Sequence, residues 1–514
     1  MSIGTKYRSV VMAGMAMLAA VAVVAETEPG YVYQTVTSVS YLDSGRDIAI
    51  DAQGNAYVLV YAVAQGNFTN GDLAIIKYDP SGNRQWTRWL AGSELETPGG
   101  IAVGPAGAVY VVGRTLSDDF PVVNAIQPTR QGSGDIFITK LDPADGTLIF
   151  STFFGGSNDE RGEDVAISDT GEIVFVGATI SRDIPLVDAL QDELADYNGL
   201  LYDVYIGKLS SDGQTVLYGT YLGGNYDDFG DNIGLDGAGN IYVGGNTQSD
   251  DWPVVNPAQP TYAGGGRDLF VARLSADGST LEYSTFLGGE DRELMGGMHV
   301  DATGRVYMAG STRSVSFPTT AGAFEETFVG QIDGCGQPPF DPIHNCDDMF
   351  VTKLNSDGSF AFSTYIGGMH VDEARAVAVG RGGAVYAAGY VSDAFPLANP
   401  GNNLVVCKLT PDGSDLLYTV DVFSGSANQG GGLATGPDGD VYFTGAINVP
   451  SDVYTMRIDE GPNGDLNGDG CVNLADLSIL LAAYDMGIEG DLDGDGDTDL
   501  ADLSLLLASW GEGC

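Results

Sequence analysis

The sequence predicts an all-β protein, a seven-bladed β-propeller closed by an N-terminal strand and followed by a small α-helical unit with two calcium loops. Three observations carry this expectation. Between residues 26 and 460 the chain repeats itself at roughly 55 to 80 residues, a period that marks stacked supersecondary units. Each full repeat reads as four strands in two hairpins, the content of one propeller blade. Beyond residue 460 one acidic loop is written twice, each copy running straight into an apolar stretch. The expected division is 1–25, 26–460 and 461–514.

At the start, Lys6 and Arg8 precede an apolar run from Val10 to Val24, and Val23-Val24-Ala25 before Glu26 fits the small-residue cleavage rule. The run is about 15 residues, short of the roughly 20 that span a bilayer. Segment 1–25 therefore reads as a secretory signal peptide, and the chain as secreted, extracellular or at the cell surface. No later segment is long and apolar enough to span a membrane.

The repeat is clearest in 163–224 and 231–289. A short strand leads through a tight turn (Asp231 to Gly239) to a second strand (Asn240 to Gly244). After a long loop come a third strand (Asp268 to Leu274), a Ser-Ala-Asp-Gly turn and a fourth strand (Leu281 to Leu287). First-hairpin turns end at Gly54, Gly107, Gly171, Gly239, Gly304, Gly383 and Gly439; second-hairpin turns end at Gly82, Gly146, Gly213, Gly278, Gly358 and Gly413. The seventh blade thus lacks its fourth strand. An orphan strand, Tyr33 to Tyr41, is expected to supply it and so remove the open edges.

With this topology the hairpin turns fall on one face and the long loops on the other, where 115–134, 179–202, 247–267, 312–347 and 390–402 vary most. Insertions on one face of a repeat array mark a binding side. Connections on that face repeat acids: Asp159 and Glu160, Asp227 and Asp228, Asp291, Asp372 and Glu373, with Glu94 and Glu96 as a looser version. They read either as a carboxylate ring attracting cations, or as duplicated turn residues capping their own backbone amides, which copying alone explains. Phe120-Pro121, Ile184-Pro185, Trp252-Pro253, Phe317-Pro318 and Phe395-Pro396 invite a sugar-stacking reading; anchoring of the long loops is the simpler one.

The motifs Tyr-Ser-Thr-Phe-Leu-Gly-Gly (283–289), Phe-Ser-Thr-Tyr-Ile-Gly-Gly (362–368), Ser-x-Asp-Phe-Pro (117–121) and its Trp variant (249–253) resemble the SBBP family of bacterial seven-bladed propellers, over about residues 31 to 460. The resemblance implies the fold and leaves the activity open, because propellers host many unrelated functions.

The C-terminal loops place Asp465, Asn467, Asp469, Asn473 and Asp476, then Asp491, Asp493, Asp495, Asp499 and Asp502, at positions 1, 3, 5, 9 and 12. Cys471 and Asp497 offer backbone carbonyls at position 7, and Gly470 and Gly496 make the sharp turn at 6. So many hard oxygens on a short segment suit Ca2+, and two ions are expected. The tandem resembles a type I dockerin, a module that docks secreted proteins onto cohesins, and Asp at position 12 is a habit of that family. Where known dockerins carry Ser or Thr at positions 10 and 11 and early basic residues, this chain has Leu474-Ala475 and Leu500-Ala501, with Leu481 and Leu507 further on. The resemblance implies the calcium fold and docking to a cohesin-like or other extracellular protein, while the leucines that replace the usual docking residues point to an apolar docking surface at Leu474, Leu481, Leu500 and Leu507.

Of the five cysteines, Cys335 and Cys346 share one loop and are expected to pair; Cys471 and Cys514 would clasp the C-terminal unit, and Cys407 reads as a buried, inert thiol. The net charge of −48 argues against nucleic acid and anionic membranes as partners. No HExxH, GxSxG, CxxC or phosphate-binding GxxxxGK[ST] motif occurs, and only His299, His344 and His370 supply imidazole. The expected function is a non-catalytic binding or scaffold propeller with a calcium-dependent docking unit, its long-loop face open to a glycan or protein ligand. The alternatives are an extracellular polysaccharide-degrading hydrolase or lyase, and a structural surface or matrix protein.

Overall fold

The computed structural model describes residues 30–461 apart from 65–69, 196–199, 331–334, 336–343, 393–394, 399–402, 425–428 and 448–450, together with 472–484, 492 and 498–511. The expected signal peptide therefore lies outside the described residues.

Seven four-stranded antiparallel sheets form the propeller. Blades 1 to 6 occupy 42–90, 96–154, 160–222, 228–287, 293–366 and 373–424; blade 7 joins 429–459 to Gly30–Thr37. In blade 4 the strands are Asp228–Leu235, Ile241–Thr247, Asp268–Leu274 and Leu281–Leu287, in spatial order. First strands of successive blades pack against one another all the way round, so they ring the axis. The thirteen turn glycines read from the sequence all adopt φ between 70° and 84°, the left-handed region that favours glycine.

Ring closure follows the expected route. Gly30–Thr37 pairs antiparallel with Asp452–Asp459 as the outer strand of blade 7, with Thr35 opposite Thr455. This strand begins and ends earlier than the expected Tyr33 to Tyr41, because the Asp43 carboxylate accepts the Val39 and Ser40 N–H groups and bends the chain there (2.7 and 2.8 Å).

Apolar strands of adjacent blades share a core at each of the seven seams. Between blades 3 and 4, for example, Val176, Val204 and Ile206 meet Ile233, Val243 and Phe270. On the face of the hairpin turns a second device repeats. One cation near the end of each third strand reaches the following blade: Lys77 to Pro143 O, Lys140 to Ser211 O, Lys208 to Ala276 O, Arg273 to Ser356 O, Lys353 to Pro411 O and Lys408 to the Glu460 carboxylate. Arg457 closes the circle by donating to Pro80 O at 2.8 Å. Most of these cations also lie over a second-strand tyrosine, as Lys353 does over Tyr307 at 4.9 Å.

Deleting residues 30–37 should bare the edge of Asp452–Asp459 and promote aggregation, whereas deleting 463–514 should leave propeller unfolding nearly unchanged; light scattering and thermal denaturation check both. Arg457→Ala, which also strands the buried Asp440 carboxylate paired with it at 2.8 Å, should cost about 3 kcal/mol in chemical denaturation.

Candidate functional site

On the long-loop face, the recurring acids do not line the mouth of the axis. Glu96, Glu160, Asp228, Glu293 and Asp372 are fully buried. Glu160 accepts the Gly156 N–H (2.9 Å) and the Thr179 hydroxyl (2.8 Å), and Ser181 also bonds to it. Asp228 repeats this with Gly224, Thr247 and Ser249, and Glu293 with Gly289, Thr312 and Ser314. The cation-attracting ring is thus overturned and the capping reading holds, with the Thr and Ser at the end of the second strand in blades 2 to 5 as further donors. The sequence reading named Asp291 in blade 5 and missed Glu293, two residues on. Of the other acids named with these, Asp159 pairs with Arg114 and Arg161, Asp227 accepts the Tyr202 N–H at 2.9 Å, and Glu373 pairs with Arg375.

The same arrangement accounts for the Gly-Gly signature. A Cβ on Gly288 would stand 2.7 Å from both Asp268 Oδ1 and Glu293 Oε2, and one on Gly289 would stand 2.4 Å from Ser314 Cβ. In Ser-x-Asp-Trp-Pro, Ser249 accepts the Tyr226 N–H and Asp251 accepts the Asn225 N–H, both at 2.9 Å. These motifs build the seam.

Phe120, Ile184, Trp252, Phe317 and Phe395 are buried. Trp252 stacks on Phe270 with centroids 3.9 Å apart and donates its indole N–H to Ser284 Oγ at 2.8 Å. Buried rings cannot stack on a sugar, so they anchor the loops. The loops then fold back onto the outer strand of their own blade, through bridges Val123 to Ser151, Val187 to Gly219 and Val255 to Ser284. Cys335 and Cys346 form the expected disulfide in the blade 5 loop. Cys407 is a buried free thiol that burial pushes up to about 12.

The charged side chains nearest the axis escaped the sequence reading. Every first strand carries a β-bulge at one height, and the extra residue is Arg46 in blade 1, Glu163 in blade 3, Asp231 in blade 4, Gly296 in blade 5 and Arg375 in blade 6. The next residue staples blades together: Asp47 accepts the Ile48 and Ile101 N–H groups, and Asp164 accepts those of Val165 and Ile233. Burial raises Glu163 to about 7 and Asp164 and Asp231 to about 8, with the neighbouring carboxyls Asp47 (on Asp164) and Glu163 (on Asp231) adding to it. Arginines surround the mouth at blades 2 to 4: Arg114 on Asp159, Arg161 over the Tyr202 ring at 4.7 Å, and Arg267 over Phe229 at 5.4 Å. His299 stands on a first strand beside Tyr307, and His370 is exposed. The signal that would have found these groups is alignment of the first strands on their bulge, not on their turns.

In the C-terminal unit, helices α1 (Leu474–Ala483) and α2 (Leu500–Ala508) start in matching capping boxes. Asn473 and Asp499 accept the Ala475 and Ala501 N–H groups, and Asp476 and Asp502 accept back from the Asn473 and Asp499 N–H groups. Asp476 and Asp502 are fully buried at the bases of their loops. Val472, Leu480 and Leu506 form a small core, and the Gly511 N–H donates to Val472 O at 2.9 Å. Leu474 and Leu500 are 69% and 68% exposed, Leu481 and Leu507 55% and 52%. The remaining expected ligands, Asp465, Asn467, Asp469, Cys471, Asp491, Asp493, Asp495 and Asp497, lie outside the described residues, as does Cys514. Among the described residues, no three His, Cys, Asp or Glu side chains converge on a metal position.

Trp252→Ala should cost about 3–5 kcal/mol by denaturation, as loss of a packed core ring does. Asp164→Ala should cost about 1–3 kcal/mol, because two N–H groups lose their acceptor, and Asp164→Asn should cost less.

Comparison with known proteins bears on the propeller. The β-propeller repeat family SBBP matches residues 217–253, from the outer strand of blade 3 to the Trp252-Pro253 pair of blade 4. A curated relative, "Regulatory protein FlaEY" of Caulobacter vibrioides, is 24% identical over 318 residues, covering 57% of this chain and 32% of its own. The chain thus matches about a third of that relative's length. Among solved structures, a polysaccharide lyase of family PL25, an ulvan lyase, aligns at 11% identity over 82% of this chain and 95% of its own, with a TM-score of 0.46. A fungal alcohol oxidase of the AA5 family aligns at 10% identity over 86% and 78%, with a TM-score of 0.44. The quinohemoprotein alcohol dehydrogenase of Comamonas testosteroni aligns at 11% identity over 84% and 76%, with a TM-score of 0.40. The chain is a seven-bladed β-propeller that carries a match to the SBBP repeat.

Proposed function

We propose that this chain is a secreted, non-catalytic binding or scaffold propeller, attached to an extracellular protein partner through a calcium-dependent, dockerin-like C-terminal unit. One observation carries the reading: Leu474, Leu481, Leu500 and Leu507 stay exposed at matching places on two helices that bury Leu480 and Leu506 and partly bury Leu477, Leu503 and Leu505. An apolar pair repeated by internal symmetry is a surface for hydrophobic contact, in two orientations related by that symmetry. Calcium would bind through the loop carboxylates and carbonyls named above, with Asp476 and Asp502 at position 12, and would supply folding free energy to the unit. The partner is a cohesin-like or other extracellular protein. A disulfide between Cys471 and Cys514 would fit the hydrogen bond that joins Gly511 to Val472.

A second reading, a polysaccharide-degrading hydrolase or lyase, has its own observation. Glu163 and Asp231 hold protons near neutrality beside Arg114, Arg161 and Arg267, which is a set suited to acid–base chemistry on an acidic sugar.

Calorimetry on the full chain should find about two Ca2+, with a gain of helical circular dichroism. Full helicity in EDTA would overturn the calcium step. Capture of a secreted partner should need calcium, survive high salt and be lost in Leu481→Lys/Leu507→Lys; capture abolished by salt would show that charge does the docking. Release of reducing ends or unsaturated products from polysaccharides, lost in Glu163→Gln, would establish the enzyme reading instead.

A further inference from the structure

Glu160, Glu293 and Asp372, buried on the long-loop face, each lie close to a second acid across a blade seam. The third strand of the preceding blade opens with Asp: Asp135 before Glu160, Asp203 before Asp228, Asp268 before Glu293 and Asp348 before Asp372, all fully buried. At the seam of blades 1 and 2, half-buried Asp72 reaches Glu96 within hydrogen-bonding range. Asp268 Oδ1 and Glu293 Oε2 both stand 2.7 Å from the point a Gly288 Cβ would take, so they lie no farther apart than twice that distance.

A donor count separates the pairs: Asp135 takes the Gly132 N–H on Oδ1 and the Gln131 N–H on Oδ2, both at 3.0 Å, whereas the third and fourth pairs lack a donor. Glu293 takes the Thr312 and Ser314 hydroxyls on one oxygen and the Gly289 N–H on the other. Asp268 takes the Ala263 N–H on Oδ2, while its buried Oδ1 has no hydrogen-bond partner. Asp348 repeats this: Oδ2 takes the Val329 and Gly330 N–H groups, and Oδ1 has none. Opposite it, Asp372 takes the Gly368 and Ser392 N–H groups. An ionised oxygen with no donor, turned toward a second buried carboxylate, suffers both desolvation and like-charge repulsion. A single proton between the two relieves both. The surroundings offer N–H and O–H donors, which suit carboxyl groups and not a metal ion.

We propose that the third and fourth of these pairs, Asp268/Glu293 and Asp348/Asp372, each bind one proton between their carboxyl groups, making the seams of blades 4 and 5 and of blades 5 and 6 proton-dependent clasps. The groups facing the pairs fit this. Tyr262 faces the third, whereas Glu325 and Asp347, the latter held by Arg292 and Arg313, face the fourth. Gln127 and Arg130 face Asp135; Gln191 faces Asp203 and Asp251 faces Asp228. Burial, with the facing acid adding to it, holds Glu160, Glu293 and Asp372 well above the carboxylate range. At the seam of blades 6 and 7 the third strand opens with Asn403, an uncharged donor in the place of the acid.

The folded-state values stand above the unfolded ones. The contribution is therefore whole below the unfolded carboxylate range and is lost as pH rises through about 7 (Asp348) to about 8 (Glu293, Asp372). Asp47, Glu163, Asp164 and Asp231 titrate in the same window, so the test compares variants. Thermal unfolding of the full chain at fixed calcium, between about pH 5 and 9, should show a smaller alkaline loss in Glu293→Gln and in Asp348→Asn than in the wild type. Profiles parallel to the wild type would overturn the proposal. Should neither variant fold, Asp268→Asn and Asp372→Asn replace them in the same comparison. Profiles parallel to the wild type there too, or bound metal in excess of what the C-terminal loops hold, would overturn it.

Discussion

Closure of the ring is the constraint on which the rest of this molecule depends. An open array of blades would leave unpaired N–H and C=O groups along Asp452–Asp459 and half of an apolar seam at each end. Three separate interactions meet at the junction of blades 7 and 1. Gly30–Thr37 completes the sheet, Tyr442 and Val453 pack with Val58, Val60 and Ile76, and Arg457 reaches Pro80 O. The two ends of the propeller chain therefore hold each other.

The scarcity of positive charge shows where the fold needs it. Of 22 Lys and Arg in the chain, one per blade is committed to the latch on the turn face, where each satisfies the next blade and covers a tyrosine or an acid. Others collect where the first strands approach the axis. Arg46 and Arg375 flank blade 7, whose first strand carries Gly430, Gly431 and Gly432 at the bulge, while Glu163 and Asp231 stand on blades 3 and 4. The bulge thus carries a different charge from blade to blade, although the repeats share one pattern.

Much of what recurs in this sequence is architecture. Gly-Gly makes room for a buried carboxyl pair, the Thr and Ser after the second strands of blades 2 to 5 donate to it, and the aromatic before proline pins the long loop. Features that repeat in every blade serve the seams that also repeat. Candidates for function are the features that do not: the bulge charges, the arginines at one side of the mouth and the exposed leucines of the C-terminal unit.

By itself the sequence determined the blade count, the thirteen glycine turns, the closing strand, the Cys335–Cys346 pair and the burial of Cys407. Each is written locally or by repetition, in the alternation of strands, in turn residues that need a positive φ, or in the spacing of two cysteines. Paired helices with an exposed leucine face were legible for the same reason, since helical spacing separates Leu480 from Leu481. What only the tertiary structure decided is which groups meet between blades. Asp268 and Glu293 are 25 residues apart and belong to different sheets, and nothing local says that both are buried or that one oxygen lacks a donor. Likewise Lys77 and Pro143, or Arg457 and Pro80, meet only because the ring closes. An acid in a turn looks the same in sequence whether water or a second acid faces it. Its burial, and with it its chemistry, is set by the neighbouring blade.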